Sequence, residues 1–138
     1  MRSARPLRAW RTGFDLAVEV FRLTAGLEDA RTNGFVRRLR DAALRVPALI
    51  ARAAHRDSRA RCQADLREAL RTLDDLSAAC EWLRALVYVD PIDAAALTGR
   101  IRAARRDLLE LESRVEPCLP EGLPAPEGGA VEGGKYEV

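Results

Sequence analysis

Histidine and lysine each occur once in this chain, cysteine occurs three times, and aromatic residues make up only 5% of it. These scarcities exclude several kinds of chemistry. A single histidine with no CxxC or HExxH pattern leaves no ligand set at the spacing a zinc site needs, so no metal and no cofactor is expected. That histidine, His55, stands between Ala54 and Arg56 with no serine or cysteine placed beside it as a nucleophile. Glycine pairs occur only at Gly128-Gly129 and Gly133-Gly134, far from any strand-to-helix turn, so there is no phosphate-cradling loop. The paired carboxylates Asp74-Asp75 and Glu110/Glu112 are of the sort any solvated helix carries. The chain therefore reads as non-enzymatic, with no catalytic residues and no small-molecule substrate.

Long apolar runs are also missing. None approaches the roughly 20 residues that span a bilayer, and Arg2, Arg5 and Arg8 are followed by no apolar stretch of the signal-peptide kind. Cys62 and Cys80 fall on one predicted helix roughly 27 Å apart, too far to be bridged. An odd number of unpaired cysteines points to a reducing compartment. A cytoplasmic protein with no membrane contact is expected.

What remains is rich in leucine, alanine, valine and arginine, a mixture suited to helices. Four periodic segments are separated by turn signals. In the first, about Leu7 to Leu27, residues Trp10, Phe14, Ala17, Val18, Phe21 and Ala25 share one face, expected to be the core. Leu16, Val20 and Leu23 lie on the opposite face, and a helix that is apolar on two faces usually touches something beyond its own bundle. The second segment follows Asn33-Gly34 and runs from Phe35 to about His55, with Phe35, Leu39, Ala42, Val46, Leu49, Ile50 and Ala53 as its stripe. Pro47 predicts a kink or break near Val46. Asp57-Ser58 offers an N-cap for the third segment, which extends to about Leu86 with a stripe of Cys62, Leu66, Ala69, Leu70, Leu73, Leu76, Cys80, Leu83 and Val87. After Asp90-Pro91 the fourth starts near Asp93, read as its cap, and runs to about Glu116, burying Leu97, Ile101, Ala104, Leu108, Leu111 and Val115. Short connections between four such segments give an all-α, antiparallel up-down-up-down four-helix bundle over residues 1–116. Residues 117–138, rich in Pro, Gly and Glu, have little to bury and are expected to be a disordered tail.

Charge divides along the same boundary. The formal net charge is +2, but the tail sets four glutamates against Lys135, and the first 116 residues set 22 arginines against 17 carboxylates. At about 100° per residue, Arg38, Arg45, Arg52, Arg56 and Arg59 fall along one flank of the second helix and its extension. Such a ridge can follow a phosphate backbone in RNA or DNA. It can equally be a solvated face paired with carboxylates, since Asp41 lies between Arg38 and Arg45. Arg67, Arg71, Arg105 and Arg106 have aspartates within a turn and read as ordinary surface pairs. Trp82, off its helix's stripe, suits an interface between subunits better than base stacking. With Leu16, Val20, Leu23 and Leu44 it forms the expected oligomer interface.

The run Leu7-Arg8-Ala9-Trp10, the groups Phe14-Asp15-Leu16-Ala17 and Val20-Phe21-Arg22-Leu23-Thr24, and above all Leu39-Arg40-Asp41-Ala42-Ala43-Leu44-Arg45-Val46-Pro47-Ala48-Leu49-Ile50-Ala51 resemble a family. The last stretch is similar to the "LRRAAVSIPANIAEG" signature of four-helix-bundle proteins encoded in intervening sequences of bacterial 23S ribosomal RNA genes. Leu66 to Leu76 and Ala85-Leu86-Val87-Tyr88-Val89-Asp90 fit the same pattern, so the resemblance spans about Leu7 to Val115. It implies a ring-shaped homo-oligomer, a pentamer. Through the accessory variability determinant of diversity-generating retroelements, it also implies a nucleic-acid-binding scaffold that assists a reverse transcriptase. The alternative is an intervening-sequence-type module for protein interaction without nucleic-acid binding. Arg45, Leu49, Arg52 and Ala53 replace the Ser, Asn, Glu and Gly of the signature, so no role of that polar cluster carries over. The replacement makes this surface more basic.

Removing residues 117–138 is expected to leave the melting temperature nearly unchanged, measured by circular dichroism. A large loss would show that the tail docks.

Overall fold

Each helix boundary has a local cause. Ser58 adopts extended backbone and accepts a hydrogen bond from Arg61 N at 3.3 Å, capping the third helix. Asp90 does the same for the fourth, accepting from Ile92 N at 2.8 Å, and Pro91 occupies the first helical position, where its missing N–H costs nothing. The cap is therefore Asp90 and not Asp93, which lies inside the first turn. Gly34 precedes the second helix at φ 76°, which glycine adopts without strain.

The structure, a computed structural model, describes residues 5–27, 32 and 34–115. Its elements are α1 (Arg5–Thr24), α2 (Phe35–Ala54), α3 (Arg59–Ala85) and α4 (Pro91–Arg114), with no strand among the described residues. The expected tail and Cys118 lie outside them. Helix α1 packs on α2 and α4, and α3 packs on α2 and α4, so the four helices enclose one core. Leu16, Val20, Val46, Ile50, Leu66, Leu73, Leu76, Leu83, Leu97, Leu108 and Leu111 fill it. The largest of its fully buried side chains are all aliphatic. Cys62 and Cys80 are buried among them as free thiols.

Two expectations about these stripes are overturned. The first concerns α1, whose buried side is Ala9, Gly13, Leu16, Ala17, Val20 and Thr24, while Phe14, Val18 and Phe21 are exposed. Leu16 and Val20, expected at an oligomer interface, are 0% exposed within their own bundle, and Leu23 is half-buried against the core. The reason is spacing between backbones. A Cβ built on Gly13 would stand 3.2 Å from Val46 Cγ1 and 3.6 Å from Pro47 N, so α1 lies too close to α2 for an aromatic side chain between them.

Of the kink or break expected at Pro47, no break occurs: helix α2 continues through it, and Pro47 is buried in this same contact. The second overturned expectation concerns Val87, which does not extend the α3 stripe. It lies beyond the helix end, exposed, at φ 59°, an unusual conformation for a β-branched residue.

Arg40 ties α1 to α2. Its Nε donates to Thr24 Oγ1 at 2.9 Å and its Nη2 to Thr24 O at 2.7 Å, satisfying a carbonyl at the end of α1. The same guanidinium lies 5.2 Å from the centre of the Phe21 ring.

Val20→Asp is therefore expected to unfold the protomer, at a cost of about 4 kcal/mol or more, because it places an unpaired charge in an aliphatic core. Val18→Asp, two residues away on the exposed side, should keep the helical signal at 25 °C. Circular dichroism of the two variants checks the assignment of faces.

Candidate nucleic-acid interface

The arginine ridge does not present five equivalent cations. Arg45 reaches across to α3, where its Nη2 meets Glu68 Oε2 at 2.7 Å and lies 3.5 Å from Thr72 Oγ1. Arg52 Nη2 donates to Asp65 Oδ1 at 2.9 Å, and Arg56 Nε to Asp65 Oδ2 at 2.8 Å. Arg38 makes no ion pair among the described residues, and Asp41 pairs with neither of the arginines that flank it in sequence. Arg59 begins α3, around the corner from the others. Two members of the ridge thus bridge α2 to α3, Arg56 ties the turn between them to α3, one stands alone near the start of α2, and one begins α3.

Asp65 was not among the residues expected to matter. It is 3% exposed, on the core side of α3. Burial pushes its carboxyl up, but hydrogen bonds from Arg56 and Arg52, with their charges, outweigh that and hold it below its ordinary range. The same contact raises Arg56 further above its already high value. A signal for Asp65 was present in the sequence. It falls between Cys62 and Ala69 in the phase of the α3 stripe, and a carboxylate on an apolar stripe needs a cation opposite it. Thr72, three residues after Ala69 on the same stripe, is satisfied instead by its own helix, donating to Glu68 O at 2.9 Å.

Between α2 and α3 these groups line an open groove of about 590 Å³, with Arg45, Arg52 and Arg71 on its walls and Asp65 and Glu68 beside them. Arg71 Nη2 holds Glu68 Oε1 at 2.7 Å, so both carboxylates grip two arginines each. Hydrogen bonds to its two arginines lower Glu68 as well, Arg71 first. A second cleft of about 290 Å³ lies at the α2–α3 corner, where Arg56, Asp57, Ser58 and Arg59 meet Cys62 and the end of α4 at Arg114 and Val115.

Of the other surface arginines, Arg106 pairs as expected, its Nε lying 3.3 Å from Asp107 Oδ1, whereas Arg105 pairs with Asp74 across α3 and α4 and not with an aspartate of its own helix. Arg67 reaches Glu112 at 3.4 Å, and Arg5 and Arg8 reach Glu110 at 3.5 and 3.7 Å. Such exposed pairs add little to stability. Leu44 and Trp82, the remaining members of the expected interface, are exposed. Phe14, Val18 and Phe21 join them as exposed apolar residues, with Trp10 stacked on Phe14 at 5.3 Å between ring centres. His55 Nδ1 lies 2.9 Å from Ala51 O. Among the described residues, no group of His, Cys, Asp and Glu is placed to hold a metal ion, and no helix is long and apolar enough to cross a membrane.

A group with a lowered folded-state value stabilises the fold above its unfolded value and loses that contribution as pH falls through the folded one. Stability should therefore decline as pH drops below the ordinary aspartate value of 3.8. Asp65→Asn should cost about 1 to 2 kcal/mol at pH 7 and flatten the acid limb of the curve. Urea midpoints for both proteins between pH 7 and pH 3 measure this.

No curated protein matches the chain. A protein-family model described as 23S rRNA-intervening sequence protein matches residues 5–110, covering α1, α2, α3 and most of α4. The chain belongs to the 23S rRNA-intervening sequence protein family.

Proposed function

We propose that this protein is a non-enzymatic, cytoplasmic scaffold that binds RNA or DNA through phosphate contacts and works as a ring-shaped homo-oligomer, a pentamer, with a reverse transcriptase as its protein partner. The observation that carries the nucleic-acid reading is the excess of arginine over carboxylate at one end of the bundle. Residues 52–61 hold Arg52, Arg56, Arg59 and Arg61 against Asp57, and α4 ends beside them with Arg114. Arginine suits phosphate because its planar donors are permanently charged. No base-reading motif accompanies them, so binding depends on charge and little on sequence.

Assembly rests on the exposed apolar residues Phe14, Val18 and Phe21 of α1 and Leu44 of α2. Arg40, one turn before Leu44, covers Phe21, which places the two helices' apolar residues on one side of the bundle. This patch replaces Leu16 and Val20 in the interface. An antiparallel up-down-up-down order is supported by the cross-helix pairs. Arg5 and Arg8 at the start of α1 meet Glu110 near the end of α4, and Arg67–Glu112 and Arg105–Asp74 run in opposite senses along α3 and α4. In a ring of cyclic symmetry each arginine-rich corner stands at the same rim, where contacts add as one multivalent surface.

Fluorescence anisotropy with a labelled single strand and a labelled duplex, from low to physiological salt, tests the binding claim. Affinity should fall steeply with salt and change little with sequence. No binding at low salt would leave the interaction-module reading in its place. Light scattering should give several times the mass of one chain, and the mass of one chain would overturn the ring.

A further inference from the structure

Trp82 does not stand alone on the surface. Leu86, one turn on, closes α3, Val87 follows it, and Ile92 is the second residue of α4, so four large apolar side chains gather at the α3–α4 turn. They are more exposed than the apolar residues of α1 and α2 on which assembly rests. Val87 is 80% exposed, Ile92 78% and Trp82 60%, against 39 to 49% for Phe14, Val18, Phe21 and Leu44.

The turn that carries them is fixed by its own hydrogen bonds. Val87 N donates to Arg84 O at 3.1 Å and Tyr88 N to Leu83 O at 2.9 Å, closing the end of α3. Val89 is buried in the core and Tyr88 packs against it, which pins the turn from beneath. Such a closure calls for a left-handed residue, normally glycine, and the chain places Val87 there at φ 59°. A β-branched side chain in that conformation strains the backbone, and at this exposure it buries little in return. The fold gives no reason for valine at this position, whereas an outside contact does. A turn already fixed also loses little freedom when something docks on it.

Charge around the turn selects the partner. Residues 75–93 hold Asp75, Glu81, Asp90 and Asp93 against Arg84 alone, and Arg84 is held by Glu81 at 2.8 Å. Asp75, two turns before Trp82 on the same outward side of α3, is exposed and makes no ion pair among the described residues. Asp90 is exposed as well, and its Oδ1 accepts only the capping hydrogen bond from Ile92 N. Asp93 acts on Arg22 of α1, but Glu19 takes both Nε and Nη2 of that guanidinium. A surface of this kind repels phosphate and anionic lipid. It also repels its own copy, since two such turns placed face to face would oppose like charges. What it complements is an apolar surface flanked by cations.

We infer that the α3–α4 turn is a docking surface for an amphipathic segment of a partner protein, apolar on one side and flanked by lysine or arginine. Trp82, Leu86, Val87 and Ile92 take its apolar side, and Asp75 and Asp90 face its cations. This surface deepens the proposed partnership with another protein and rests on that reading only for the partner's identity. The arginines proposed to meet nucleic acid take no part in it.

The test uses the full chain and a synthetic leucine–lysine peptide patterned as an amphipathic helix. In Trp10→Phe, Trp82 is the one remaining tryptophan, so emission reports on the turn. Titration with the peptide should shift that emission to the blue as the ring leaves water, and a leucine–glutamate peptide of the same pattern should not move it. In the same background, Leu86→Ser with Ile92→Ser should weaken binding about tenfold or more with helical circular dichroism intact, because both side chains are exposed. Asp75→Asn should weaken it at low salt and not at high salt. Leu109→Ser removes exposed apolar surface elsewhere on α4 and should bind like Trp10→Phe itself. Val87→Gly should weaken binding while raising the melting temperature, since it relieves the left-handed valine. The inference is overturned if the leucine–lysine peptide leaves the emission unmoved, if the leucine–glutamate peptide binds equally, or if the Leu86 and Ile92 double variant binds like its parent. It is also overturned if Val87→Gly lowers the melting temperature and leaves binding unchanged. A reverse transcriptase that binds these turn variants as well as the parent would sink the surface and leave the proposed partner standing. Peptide binding with no transcriptase binding would do the reverse.

Discussion

At Gly13 the first two helices come so close that a single added methyl group would press on Val46 Cγ1 at 3.2 Å. Much of the molecule's surface follows from that contact. With Ala9, Gly13 and Ala17 turned toward the core and α2, the bulk on the inner side comes from Leu16 and Val20, and Phe14, Val18 and Phe21 are left outside. Aromatic side chains are few in this chain, and α1 keeps three of them, Trp10, Phe14 and Phe21, at or near its surface. The same approach buries Pro47, so the backbone hydrogen bond that proline removes is lost inside a well-packed seam and the helix runs on. The exposed apolar patch proposed for assembly is thus a consequence of the close packing of α1 on α2.

Charge is organised by a second constraint, the burial of Asp65. A carboxylate in that position stays ionised because two guanidinium groups meet it, one from α2 and one from the turn that follows it, and breaking such an arrangement costs more than it would at the surface. Arg52 and Arg56 therefore serve the α2–α3 seam first. Glu68 draws Arg45 and Arg71 together in the same way, one turn further along α3.

The helices, their approximate limits and the family were legible from the residues alone. Periodic Leu, Ala and Val with Ser58, Asp90-Pro91 and Gly34 as punctuation place four helices to within a few residues, because caps and breakers act locally. The stretch around Pro47 carried the family resemblance, and the matched region includes it. For α3 and α4 each apolar stripe stood on a single face, and most of its members are buried. The exceptions are instructive. Asp65 sits in phase with the α3 stripe and could have been noticed, whereas Val87 lies past a helix end that periodicity does not mark.

Sequence by itself determined the all-helical class, the position of each segment and the excess of arginine, since these depend on neighbours in the chain. Tertiary structure decided which of α1's two apolar faces is the core and which arginines remain for a ligand. Both depend on distances between helices. Apolar residues on two faces satisfy the same periodicity, and only the room left beside α2 at Gly13 selects between them. An arginine reads the same in sequence whether or not a carboxylate waits for it on the next helix, and Asp65 and Glu68 became partners of α2 only when the bundle closed.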